Sequence, residues 1–303
     1  MFRDRARAAN PPRREVRAGE AEESLSLVSS AFVVLALVCA WMLLQLLVLG
    51  GASEARSQHL LYSEYRSELS QATAPTGALD YLGKPVKPGS PVALLSIPQL
   101  GLQQVVVDGT APGDLTNGPG HMRSTPLPGQ AGISVVMGRA STFGAPFRDI
   151  GTLAIGTQII VQNAEARVVY EVSGIRRAGD PIPAPPTGKA GLLTLVSAVG
   201  KDGFLGGLQP TEAIYVDATT KKASPSGYVA GAVPPSEQVM GRDLTALPVL
   251  VLLLAALVAV VLAISIARRR FPFALVWVFA VPTVIALAWA TTDQVVRLLP
   301  NLM

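Results

Sequence analysis

The chain has one cysteine, Cys39, and two histidines, His59 and His121, in 303 residues. No intrachain disulfide can form, and neither a cysteine-based nor a histidine-rich metal site can be assembled. No cofactor is expected either. Charge is also scarce: Asp, Glu, Lys and Arg make up 15% of the residues, against 50% hydrophobic. That balance excludes an ordinary soluble domain and points to membrane spans. No internal repeat is visible. Cys39 lies inside the first apolar run, where it reads as an acylation site or, more simply, as a small lipid-facing residue.

The charge that is present is clustered. Arg3, Arg5, Arg7, Arg13, Arg14 and Arg17 precede the first apolar run, and Arg268, Arg269 and Arg270 separate the last two. Such clusters are read as topology signals beside spans rather than as nucleic-acid contacts, so no nucleic-acid partner is expected. Residues 1–24 are then a basic cytoplasmic tail. Residues 25–50 form a first transmembrane helix, an uncleaved signal anchor because no small-residue cleavage site follows a short core. Residues 244–267 and 271–292 form the second and third transmembrane helices. They are joined by a cytoplasmic loop, 268–270, and followed by an outer tail, 293–303. Both basic clusters fall on one side in this arrangement. The expectation is a multi-pass plasma-membrane protein with a cytoplasmic N-terminus. Pro282, mid-span, should kink the third helix.

Residues 51–91 read as a stalk. Ser53–Gln71 carries Leu61, Tyr65 and Leu69 at helical spacing, which suits a spacer or a packing face for a partner helix. The stretch from Ala74 to Pro91 is rich in Pro and Gly and reads as extended linker, as does 219–243. Between them, residues 92–218 are all-β. Short apolar runs at Val92–Ile97, Val105–Val107, Ile133–Met137, Gln158–Val161, Val168–Val172, Leu192–Val196 and Ala213–Val216 are punctuated by Gly and Pro. So many short strands suggest a barrel or sandwich.

Five segments in this domain form an ordered set. They are Ser96 to Gly101 (S-I-P-Q-L-G), Gly118 to Met122 (G-P-G-H-M) with Thr125 to Gly129 (T-P-L-P-G), Val135 to Phe147 (V-V-M-G-R-A-S-T-F-G-A-P-F), Leu192 to Ala198 (L-L-T-L-V-S-A), and Ala213 to Ala218 (A-I-Y-V-D-A). Together they resemble the sortase family, and the arrangement of spans is most like that of its actinobacterial members, with which the Arg-over-Lys, Ala- and Gly-rich composition is compatible. The resemblance implies a closed extracytoplasmic β-barrel of about eight strands. In the family, a cysteine attacks a carbonyl of a sorting signal, a histidine exchanges the proton and an arginine stabilises developing charge. By this resemblance Arg139 stands at the histidine position, Ala198 at the cysteine and Ala213 at the arginine. An arginine exchanges no proton near neutral pH, and Glu212 beside Ala213 would repel an oxyanion.

The resemblance therefore implies a pseudoenzyme, a binding scaffold or accessory subunit of a cell-envelope or membrane complex. The alternative is a surface transpeptidase or hydrolase with a rebuilt site. A third reading is a subunit of an export or transport machine. Candidate groove residues are Arg139, Ser141, Thr142, His121, Ser197 and Glu212. Strand alternation places Ser197 on the face opposite Ala198. Arg139 reads either as a receptor for an anionic peptide or carboxylate or as an internally paired side chain, with Asp114 or Glu212 as partner. The loop 178–188, with Pro181, Pro183, Pro185 and Pro186, reads as a stiff binding edge or a plain surface loop. The expected partners are the lipid bilayer and a membrane or cell-envelope protein.

Overall fold

The computed structural model describes residues 36–37, 40–200, 210–267 and 270–303. Half of the expected first transmembrane helix, with Cys39 and the basic tail, lies outside the described residues. So do Arg268 and Arg269 of the second cluster.

Eight strands close a barrel: β1 (Pro91–Ile97), β2 (Leu102–Asp108), β3 (Gly120–His121), β4 (Gly132–Met137), β5 (Gln158–Gln162), β6 (Arg167–Arg177), β7 (Gly191–Gly200) and β8 (Pro210–Thr220). Their order around the barrel is β1-β2-β3-β4-β7-β8-β6-β5. In β6 the alternation is plain: Val168, Tyr170 and Val172 are buried and their neighbours exposed. That period of two is what a strand with one wet face requires. β7 instead is buried on both faces. Leu193 and Leu195 point into the barrel core with Val92, Leu95, Ile97 and Val216, whereas Val196 and Ala198 belong to a separate outer cluster. Something therefore covers β7 from outside.

The first helix, α1 (Gly50–Gln71), is no free spacer. Leu61 and Tyr65 are buried on its barrel face. The Tyr65 hydroxyl lies 3.3 Å from the Val92 carbonyl oxygen and 3.2 Å from that of Gln162. Gln58 completes the sheet. Its carboxamide accepts from Val105 N–H at 2.7 Å and donates back to the Val105 carbonyl at 3.0 Å. β3 pairs with β2 only at Val107 and Asp108, so the Gln58 amide stands in for a neighbouring strand at an open edge.

Two further helices, α2 (Leu247–Ala267) and α3 (Phe273–Leu298), are long and apolar enough to cross a membrane. They are the two such helices among the described residues. Pro272 caps α3 and Pro282 lies inside it. The expected outer tail, 293–303, is not one. α3 continues to Leu298, and Asn301 and Leu302 beyond it are fully buried. The 219–243 linker is likewise only partly a linker: Glu237 is buried, and Val239 and Met240 pack on the barrel's outer cluster.

Candidate functional site

Three strands bring the predicted positions together. β4 runs parallel to β7 with Met137 opposite Val196, and β7 runs antiparallel to β8 with Ala198 opposite Ala213. Arg139 follows β4 by two residues, so it emerges beside Ala198. The turn it enters is tight. A Cβ on Gly138 would lie 2.5 Å from the Phe147 ring, so only glycine lets that ring close over the strand end. Phe143 and Ala145 have φ of 49° and 46°, flanking Gly144 at 74°. This left-handed run folds the loop back, and Phe147 N–H donates to the Arg139 carbonyl at 3.1 Å.

Arg139 is completely buried. Its Nε donates to the Leu115 carbonyl at 3.2 Å and its Nη2 to the Pro112 carbonyl at 2.7 Å. Its Nη1 donates to Thr142 Oγ1 at 3.0 Å and to the Met303 backbone oxygen at 3.2 Å. The guanidinium carbon lies 5.1 Å from the Phe143 ring centroid. No Asp or Glu side chain among the described residues pairs with it. Burial lowers its pKa to about 9, which leaves it charged at neutral pH.

Neither expected internal partner reaches it. Asp114 accepts from Ala111 N–H at 3.2 Å, holding the turn that carries the Pro112 and Leu115 carbonyls. Burial, with the Glu237 charge nearby, raises its pKa to about 6. Glu212 faces away from this side and pairs with Arg177 at 3.4 Å. In this state the Arg139 donors are spent on internal oxygens.

Residues 300–303 fill the groove. Leu302 packs with Ala198, Ala213, Met137, Val196 and Leu115, and its carbonyl accepts from Ala140 N–H at 3.0 Å. Asn301 donates through Nδ2 to the carbonyls of Thr110 at 2.8 Å and Gln238 at 2.9 Å, and through its backbone to Gly241 at 3.0 Å. Thr142 Oγ1 donates to the Met303 oxygen at 2.6 Å. Glu237, on the flanking linker, is held by both Arg123 nitrogens, Nε at 3.0 Å and Nη2.

The other candidates are tied elsewhere. Ser197 is fully buried on the Leu193–Leu195 face, as alternation predicts, and its hydroxyl has no partner. His121 Nε2 lies 3.0 Å from the carbonyls of Thr125 and Pro126, while Nδ1 lies 3.2 Å from Asp108. Carbonyls only accept, so Nε2 carries hydrogen and is no base. The Ser141 hydroxyl is buried without a partner.

Beside the filled end, an apolar cavity of about 210 Å³ runs along the outer face of β4, β7 and β8. Val135, Leu192, Val196 and Tyr215 form its floor, and Ile182 and Pro183 of the 178–188 loop its rim. Arg176 bounds it, stacked 4.3 Å over Tyr215 and bonded to Asp217 at 2.7 Å.

Residues 95–197 match the family model described as the sortase domain. The chain carries a sortase domain. Its match ends at Ser197, one residue before Ala198. Similar solved structures include a Clostridium perfringens sortase D5 transpeptidase (20% identity, 55% of this chain and 97% of that one, TM-score 0.41). Others are the SrtF sortase from Corynebacterium diphtheriae (24%, 50% and 94%, 0.38) and sortase E1 from Streptomyces coelicolor with a tripeptide in its active site (22%, 45% and 91%, 0.36). No curated protein matches the chain. Sortases are normally cysteine transpeptidases. Asn301, Leu302, Thr110 and Arg176 of this sortase groove were not picked out from sequence. One signal was available: Leu298 to Met303 is far more apolar than an exposed tail needs to be.

Proposed function

We propose that this is a membrane-anchored sortase-like protein without sortase chemistry, working as a binding scaffold or accessory subunit of a cell-envelope or membrane complex. One observation carries the reading. The three groups at the centre of the groove are an arginine whose donors are taken up by Thr142 and by the backbone oxygens of Pro112, Leu115 and Met303, and a facing pair of alanines under Leu302. Ala198 offers no nucleophile, and Ala213 no cation. The serine beside Ala198 faces the core, and His121 is spent on carbonyls and Asp108. A rebuilt Ser–His pair would need a hydroxyl donating to a histidine nitrogen; the hydroxyl beside His121, Thr125 Oγ1 at 3.2 Å from Nε2, donates to the Met122 carbonyl at 2.8 Å instead.

The proposed topology has three spans, a cytoplasmic N-terminus and an extracytoplasmic barrel. Support comes from the α2–α3 hairpin. Asp243 N–H donates to the Arg297 carbonyl at 2.9 Å, so the start of α2 and the end of α3 meet on the barrel side. Arg270 lies at the opposite end.

The test uses the full-length protein in detergent micelles. Sorting-signal peptides should be neither cleaved nor joined to an amine nucleophile. Turnover abolished by Ser197→Ala or His121→Ala would replace this reading with the rebuilt enzyme. Affinity purification from solubilised membranes should recover a stoichiometric membrane or envelope protein.

A further inference from the structure

We propose that residues 299–303 are an internal ligand of the sortase groove, inserted and withdrawn by movement of α3. This goes beyond the scaffold reading and holds whether or not the groove catalyses anything.

The segment is recognised as a bound peptide is. One apolar side chain, Leu302, fills the depression over Ala198 and Ala213. Its backbone is read on both sides, by Ala140 N–H at the Leu302 carbonyl and by the Gly241 carbonyl at Asn301 N–H. One amide, Asn301 Nδ2, satisfies two carbonyls, and one oxygen, on Met303, receives both Arg139 and Thr142. The fit is tight yet incomplete. Asn301 Oδ1 and Ser141 Oγ are buried without partners, and unpartnered polar atoms weaken a docked state relative to a hydrated one.

Movement of α3 has no slack to act through. Only Leu299 lies between the helix end at Leu298 and Pro300. One residue spans at most about 3.6 Å, whereas a one-turn displacement of a helix is about 5.4 Å. A second contact reinforces the link: Val296 and Leu299 pack on Phe143, the ring beneath the Arg139 guanidinium. A helix that slides or tilts therefore draws Leu302 off the alanine pair and takes the Met303 oxygen from Arg139. A partner helix binding α3 in the bilayer would thus open or close a groove on the barrel.

The experiment reads the exposure of position 198 in full-length protein in micelles, in a Cys39→Ser background carrying Ala198→Cys. The probe is an impermeant maleimide. Modification should be slow in this parent, since Ala198 is 7% exposed beneath Leu302. Asn301→Ala, or truncation after Leu298, should accelerate it about tenfold or more, because labelling tracks the open population. Adding the free peptide Leu-Pro-Asn-Leu-Met to the truncated protein should restore slow labelling. Deleting residues 285–288 shortens α3 by about 6 Å and should also accelerate labelling. A four-residue Gly-Ser insertion after Leu298 of that variant should reverse the effect. Equal rates throughout, or no protection by the free peptide, would overturn the proposal. Turnover of a sorting-signal peptide would overturn the inactive reading and leave these rates unchanged, so the two fail separately.

Discussion

Arg139 holds a positive charge at neutral pH in a fully buried site with no carboxylate side chain among the described residues beside it. Its donors are met by the carbonyls of Pro112 and Leu115, the Met303 backbone oxygen and the Thr142 hydroxyl. Such an arrangement is costly to break from either side. Removing the guanidinium strands several buried acceptors, and removing the acceptors strands a buried cation. Arg139→Ala should therefore lower the unfolding free energy by about 3 kcal/mol or more. Arg139→Lys should recover only part of this, because an ammonium cannot reach oxygens spread around a planar fork. Thermal and denaturant unfolding of the detergent-solubilised variants checks both. A loss below about 0.5 kcal/mol, the range of a surface change, would mean the charge is solvated in the folded protein. Gly138 offers a second test at this scale. Gly138→Ala should destabilise comparably by pushing Phe147 off the strand end, with no change in charge.

At the scale of elements, the barrel is finished by pieces that are not strands. The Gln58 amide pairs with Val105 as a strand would, so Gln58→Ala should uncover that edge and speed amide exchange at Val105. α1 also brings Glu54 against Gln104 at 2.7 Å. Burial raises the Glu54 carboxyl from 4.5 to about 7, and burial with Glu237 raises Asp114 from 3.8 to about 6. The folded state thus binds these protons more tightly than the unfolded chain. Their stabilising contribution is full below about pH 4 and is lost as pH rises through 6 to 7. The parent should melt at a lower temperature at pH 8 than at pH 5. Glu54→Gln combined with Asp114→Asn should flatten that difference, and an unaltered profile would show that other groups titrate. These elements also mark what was legible beforehand. β6 and β7 were readable as the short apolar runs Val168–Val172 and Leu192–Val196, set off by Gly and Pro. β3 was not, since two residues carry no period and pair only through β2 and β4. The convergence of Arg139, Ala198 and Ala213 followed from motif order. What Arg139 binds did not, because its partners are mostly backbone oxygens, and every residue type has one.

For the whole molecule, the barrel, the flanking linker and the end of α3 are one packed unit across the groove. Orientation in the membrane is the prediction at this scale. In the Cys39→Ser background, Ser226→Cys should react with an impermeant thiol reagent on intact cells, and Arg269→Cys should react only after permeabilisation. The opposite pattern would invert the protein. The unit also has a history in time. Arg139 and the Met303 oxygen that it binds are 164 residues apart, and α2 and α3 lie between them. At a synthesis rate of about 5–20 residues per second, roughly 8–33 s pass between the emergence of one and of the other. Throughout that interval the strands around Arg139 can pair while its guanidinium remains hydrated. The site is closed late, by residues that arrive only after both apolar helices have been made, so a closed groove is also a record that α2 and α3 have emerged.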